Sequence, residues 1–176
     1  MRQLWAPWRL AYIKSPPAAE CIFCAARDSD ADAESLVVWR GERVFVMLNR
    51  YPYSSGHLMA VPHRHTANLN ALTDPETLGL WDAVCRSVAA LRAGLGAEAF
   101  NIGLNLGRAA GAGIEDHLHV HVVPRWAGDT NFMPVLADVK VIPQHIEDTY
   151  RVLRDAFASL EASPAGRGQR ENLAPR

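Results

Sequence analysis

The sequence predicts an α+β fold: a mainly antiparallel sheet of about five strands with one long helix and one C-terminal helix. Three observations predict it. Three apolar runs of strand length crowd into residues 36–61, separated by short polar turns. A long helical pattern follows, then two further strand-like runs. A second amphipathic pattern closes the ordered part of the chain. Strands grouped in neighbouring runs, with helices inserted and appended, argue against the strict alternation of a parallel sheet.

The elements are taken in order. Residues 1–20 are rich in Trp, Pro and Arg and read as an irregular arm. Trp5, Trp8 and Tyr12 are too apolar for water and are expected to pack on the body or on a partner subunit. Residues 25–35 are acidic and Ala-rich and read as a surface turn. Leu36 to Trp39 and Val44 to Leu48 read as strands joined through Gly41-Glu42, and His57 to Val61 as a third strand ended by Pro62. A helix is predicted from Asp74 to Leu95. Thr73 and Glu76 have capping-box spacing and Pro75 suits a first turn. Trp81, Val84, Cys85, Val88 and Leu91 recur as its buried stripe, and Gly94 and Gly96 end it. Ala99 to Asn105 reads as a strand, followed by a glycine-rich link and a histidine-bearing strand. Gln144 to Ala162 forms the last helix, with Ile146, Tyr150, Leu153 and Phe157 on one face. Residues 1–162 read as one domain, and 163–176 as a disordered tail.

Composition narrows the class. At 176 residues, 49% hydrophobic and 21% charged, the chain can bury a substantial core. A net charge of −1 gives no footprint for nucleic acid or an anionic membrane. No apolar run is long enough to span a bilayer, and no secretory signal is evident. Three cysteines, an odd number, argue against a disulfide framework, so a cytoplasmic location is expected.

The chemistry concentrates in His117-Leu118-His119-Val120-His121-Val122-Val123. Side chains alternate along a strand, so the three imidazoles share one face while Leu118, Val120 and Val122 take the other. Imidazole serves near neutral pH as base, nucleophile or metal ligand. Three successive alternates on a flat strand diverge too far to share one zinc without a bend. The link Asn105 to Gly113 carries three glycines whose backbone N–H groups could form an anion nest. Arg108 within it reads either as a phosphate clamp or as a solvated loop residue. Asn49 follows a strand, where Asn often serves a turn. Cys21 and Cys24 form a C-x2-C pair, suited to zinc or to redox chemistry, without a thioredoxin-like context.

The triad run, its continuation Pro124 to Asp129 and the stretch Leu48 to His57 resemble the histidine triad family of nucleotide-binding proteins. Leu4-Trp5-Ala6-Pro7-Trp8-Arg9 and Cys21-Ile22-Phe23-Cys24 are similar to a bacterial branch of it. The resemblance spans residues 4–160. It implies the triad fold, a sheet-joined homodimer or higher homo-oligomer, and nucleotidyl transfer on dinucleoside polyphosphates such as diadenosine tetraphosphate. His119 would attack the α-phosphorus and form a covalent nucleotidyl-histidine. A backbone carbonyl is expected to hold its other nitrogen. His121 would contact phosphate oxygens or the departing group. Asn49 would meet the ribose hydroxyls and Leu48 the base, with His57 orienting the pocket. Asn105, Gly111 and Gly113 would face the phosphates. Here Asn105 stands where some relatives have glutamine, and Ala112 where many have a polar side chain. The branch also implies a structural zinc on Cys21, Cys24, His65 and His117, with His63 as the rival third ligand. Cys85 is assigned to the helix core. No organic cofactor is expected, and a divalent cation could accompany the substrate. Inorganic phosphate is the favoured acceptor; the alternatives are hydrolysis, phosphoramidase activity, or a non-catalytic nucleotide-binding scaffold.

Overall fold

The computed structural model describes residues 20–129 and 144–162. The expectations for the N-terminal arm and the C-terminal tail lie outside the described residues.

Two short helices come first, α1 (Ile22–Asp28) and α2 (Asp32–Ser35). The strands β1 (Val37–Arg40), β2 (Val44–Leu48) and β3 (Leu58–Pro62) follow. Then come α3 (Asp74–Leu95), β4 (Ala99–Gly103), β5 (Val120–Arg125) and α4 (Ile146–Ala162). The five strands form one sheet in the order β1-β2-β3-β5-β4, and every neighbouring pair is antiparallel. The predicted fold class is therefore what the chain adopts.

Alternation divides the sheet into two faces. Val44, Val46, Leu48, Leu58, Ala60, Val120 and Val122 point to one side, where α3 and α4 cover them with Leu80, Val84, Leu91, Leu153 and Phe157. Phe45, Met47, Met59 and Val61 point to the other side and meet Phe23 and Ala26 of α1. Each large side chain buried this way contributes about 1.5–3 kcal/mol. The first face is the larger core. The second is thinner, and the histidines lie on it.

Four expectations are corrected. Residues 25–35 are largely helical rather than a turn. The helical conformation of α1 survives because Arg40 of β1 donates to the carbonyls of Ala26 (2.8 Å) and Arg27 (2.9 Å) in its last turn and of Ser29 (2.7 Å) just past it. Those acceptors would otherwise be orphaned, and local sequence does not reveal a partner from a strand. The bounds of α3 match, and its Thr73–Glu76 capping box forms as predicted, but its buried stripe is rotated. Leu80, Ala83, Val84, Ser87, Ala90 and Leu91 face inward, whereas Trp81 is 51% exposed and Cys85 is exposed. α4 crosses close by at the end of this helix: a Cβ on Gly94 would sit 3.1 Å from Val152 Cγ1. Gly94 is thus a packing residue inside the helix, and Gly96 (φ +61°) is the cap. Finally, β4 ends at Gly103, and β5 starts only at Val120. His117 and His119 lie just before the ladder, where the Leu118 N–H donates to the Thr66 carbonyl (2.8 Å).

Candidate active site and metal cluster

His121 enters the sheet opposite Met59 on one side and Gly103 on the other. His119 precedes it and is buried, at 6% exposure. The two rings meet edge-on, centroids 4.8 Å apart. Nδ1 of His119 lies 2.9 Å from the backbone oxygen of His117. A carbonyl can only accept, so Nδ1 carries the proton and Nε2 presents a lone pair. This is the backbone restraint expected for an attacking imidazole. Burial pushes the His119 pKa below the ordinary histidine value of 6.5, partly offset by that hydrogen bond. The ring is therefore neutral, and nucleophilic, at pH 7.

His57 is wholly buried beneath this pair. Its Nδ1 accepts from the Tyr53 N–H (3.2 Å), which leaves its own proton on Nε2. That proton points to Nδ1 of His121, 3.0 Å away. In the neutral pair His121 must then carry its proton on Nε2. The Tyr53 ring stacks on His57 with centroids 4.9 Å apart and planes at 17°. Two imidazoles thus take complementary tautomers: His119 offers a lone pair from Nε2, and His121 offers a proton from Nε2. One arrangement can attack an electrophile; the other can donate to what departs. The sequence reading assigned His57 only to orienting the pocket. Its signal was the strand parity it shares with Met59 and Val61.

Asn49 continues the same parity past Phe45 and Met47. Its Oδ1 accepts from the Tyr51 N–H (2.9 Å), so it does form a turn, and its Nδ2 donors are not consumed by that bond. Leu48 and Asn49 help line a cavity of about 400 Å³ with Arg50, Ser55, Gln144 and Ile146. Asn105, Gly111 and Gly113 are not among that cavity's walls. Asn105 is half-buried just beyond β4. Gly111 (φ +83°) closes a 3-10 turn, and its N–H donates to the Arg108 carbonyl. Arg108 is exposed and pairs with Glu115 at 2.7 Å.

Cys21, Cys24, His65 and His117 bring four ligand atoms within 4.8 Å of one another. The spacings are 3.4 Å (Cys21 Sγ to His117 Nδ1), 3.7 Å (Cys24 Sγ to His117 Nδ1) and 3.2 Å (Cys24 Sγ to His65 Nδ1). Sulfur and nitrogen on one tetrahedral zinc would be separated by about 3.5 Å. His117 is prepared in a second way: its Nε2–H donates to the Pro62 carbonyl (2.8 Å), which leaves Nδ1 unprotonated. The Cys24 thiol is pushed up by burial and by Cys21, a penalty that a bound cation would reverse. The cluster therefore could hold a metal ion, and its donor set suits one. His63 is not part of it. Its Nε2–H donates to the Gly41 carbonyl (3.0 Å), and its ring stacks on Phe45.

Comparison with known proteins agrees with this architecture. Residues 30–128 match the model of the HIT domain. The chain is 40% identical over 166 residues to the AP-4-A phosphorylase of Mycobacterium tuberculosis, spanning 90% of this chain and 85% of that protein. Among solved structures it resembles a Zn-bound histidine triad family protein from Mycobacterium smegmatis, with TM-score 0.64 and 30% identity over 81% of this chain and 96% of that one. A hypothetical histidine triad nucleotide-binding protein from Sulfolobus tokodaii matches with TM-score 0.64 and 25% identity over 80% and 94%. On the family model, the identity and the shared architecture, the chain belongs to the histidine triad (HIT) family.

Proposed function

We propose that this chain is a nucleotidyl-transfer enzyme that cleaves diadenosine tetraphosphate-type substrates by phosphorolysis, yielding ADP and ATP. The observation that carries this reading is the geometry of the histidine pair: His119 is held through Nδ1 by the His117 carbonyl (2.9 Å), beside a His121 whose Nδ1 faces His57 Nε2 (3.0 Å). The relative named AP-4-A phosphorylase supports the substrate class.

His119 Nε2 attacks the α-phosphorus, and the bond to the bridging oxygen breaks. ATP leaves, taking a proton delivered at His121 Nε2, and a nucleotidyl group stays on His119. Inorganic phosphate then attacks the same phosphorus, His119 departs, and ADP forms. Splitting one displacement into two lets one imidazole serve both halves. Asn49 faces the ribose hydroxyls and Leu48 the base, while Asn105, Gly111 and Gly113 border the phosphates. Cys21, Cys24, His65 and His117 hold a structural zinc, which supplies no step of the chemistry. It ties the segment before His119 to α1 and to the end of β3. No organic cofactor is needed, and a divalent cation can accompany the substrate phosphates.

The protein acts as a homodimer in the cytoplasm. The dimer is supported by β4, an edge strand whose Ile102 is 43% exposed. An open edge of this kind invites pairing with a second copy. Among the described residues no helix is long and apolar enough to cross a membrane.

The test is product analysis of diadenosine tetraphosphate turnover with and without inorganic phosphate. ADP plus ATP, formed only with phosphate, is the expected result. AMP plus ATP in both conditions would make the protein a hydrolase. Tight binding with no products would make it a nucleotide-binding scaffold, unless a phosphoramidate substrate turns over.

A further inference from the structure

Phe23 lies between the two cysteines in the chain, and its ring packs against both His117 of the cysteine-histidine cluster and the candidate nucleophile. The side chain is fully buried. Its ring centroid is 5.4 Å from that of His117, edge-on at 72°, and 4.9 Å from that of His119, tilted at 45°. The hydrogen bond through Nδ1 restrains His119 at one atom. It does not by itself fix the plane of the ring. Phe23, tilted at 45° with its centroid 4.9 Å away, and His121, edge-on at 4.8 Å, pack against the ring and supply that restraint, and so set the direction of the Nε2 lone pair.

What holds Phe23 in turn is α1, which has only seven residues. A helix of two turns is not stable alone in water. Arg40 ties down its C-terminal carbonyls. Its N-terminus has no side-chain cap, since Cys21 occupies the N-cap position without capping. The first turn, which carries Phe23, is therefore anchored by its burial against the sheet and by whatever joins Cys21 and Cys24 to His65 and His117.

We infer that Phe23 is a positioning residue that transmits the tie made by Cys21 and Cys24 to the imidazole of His119, so that filling the cluster orients the nucleophile as well as stabilising the fold. This rests on the reading of His119 as nucleophile and of the cluster as a zinc site. Phe23 has no ligating or titrating atom, and its ring packs on those of His117 and His119. It acts through packing alone.

The experiment compares the full-length zinc-loaded protein with Phe23→Ala and Phe23→Leu. Zinc content should remain stoichiometric, because all four ligands are kept. kcat for diadenosine tetraphosphate should fall roughly 10- to 100-fold in Phe23→Ala, as expected of a misaligned attacking group. KM should stay within about threefold, and Phe23→Leu should recover most of the loss. A second readout needs no turnover: hydrogen exchange of the His119 Nδ1 proton followed by NMR, with zinc and after chelation. In the wild type, chelation should speed that exchange by at least about tenfold; in Phe23→Leu it should do so less, and in Phe23→Ala by no more than about a third of the wild-type factor, because only the route through the His117 carbonyl is left. Equal acceleration in all three proteins would overturn the inference, as would wild-type kcat in zinc-loaded Phe23→Ala. Where Phe23→Ala does not fold, the exchange comparison of wild type with Phe23→Leu decides, and equal acceleration by chelation in both would overturn the inference. His119→Ala separates the two readings: turnover that survives it defeats the proposed function, whereas the exchange measurement still judges the coupling.

Discussion

Replacing His57 with leucine removes the group that sets the tautomer of His121 while keeping most of the packed volume. His57 is completely buried, accepts from Tyr53 N–H, donates to His121 Nδ1 and stacks on the Tyr53 ring. Leucine leaves a donor and an acceptor without these partners, at about 1–3 kcal/mol each when water cannot replace them. Loss of the stacking adds about 0.5–1.5 kcal/mol. His121 is only half-buried, so its Nδ1 regains some solvation. The expected loss of folding stability is thus about 2–5 kcal/mol, read by urea unfolding. Turnover should fall further than stability explains. Proton donation by a positioned imidazole is worth roughly 10²–10⁴-fold, and a His121 with no fixed tautomer should lose about 10- to 100-fold of it. The decisive assay is single turnover of folded protein with two substrates. One expels ATP; the other is a nucleotide ester of nitrophenol, whose leaving group needs no proton. The deficit should shrink for the second substrate. His57→Gln, which can both accept and donate, should recover part of the rate. Wild-type turnover in His57→Leu, or the same deficit with both leaving groups, would refute the reasoning.

Chelating the metal, or replacing Cys24 with serine, should lower the unfolding free energy by about 3–4 kcal/mol for a site normally held at 100–1,000 times its Kd; an unchanged Tm with and without chelator would contradict this. The acid limb of kcat/KM should lie below pH 6.5, because burial lowers the His119 pKa from 6.5 and the protonated ring cannot attack. The linked stability has the same sign. The unfolded chain takes up its proton first, so stability falls as pH drops below 6.5 and levels off below the folded pKa. A limb at or above pH 7 would contradict the burial argument. Gly56→Ala should cost about 2–5 kcal/mol in chemical denaturation. The backbone there is left-handed (φ +78°), and the new Cβ would lie 2.5 Å from Leu95 Cδ1. Wild-type stability in that variant would show that the turn before His57 can relax.

Periodicity carried most of the fold. The strands between residues 36 and 62, the Asp74–Leu95 helix and the last helix all announce themselves through alternation, capping residues or a 3.6-residue stripe. Two of the errors trace to partners outside the local sequence. Arg40 stabilises α1 from 11–14 residues away. Ala83, Ser87 and Ala90 are buried in place of the larger Trp81 because α3 packs against both the sheet and α4. The site divides the same way. The three histidines and the C-x2-C pair are legible as local motifs. The family resemblance, rather than the residues alone, names His65 over His63, and it is His65 that joins the cluster while the Gly41 carbonyl engages His63. The His57–His121 bond is not legible, since it exists only once β3 and β5 pair.

The most direct test of the central claim is to trap the reaction. Wild-type protein and His119→Ala would be mixed with diadenosine tetraphosphate in the absence of phosphate, quenched rapidly, digested and examined by mass spectrometry under conditions that preserve phosphoramidate bonds. The account predicts a nucleotidyl group on the peptide containing His119 in the wild type, none in His119→Ala, and its disappearance when phosphate is added before the quench. Turnover at the wild-type rate by His119→Ala, or an adduct on another residue, would contradict it.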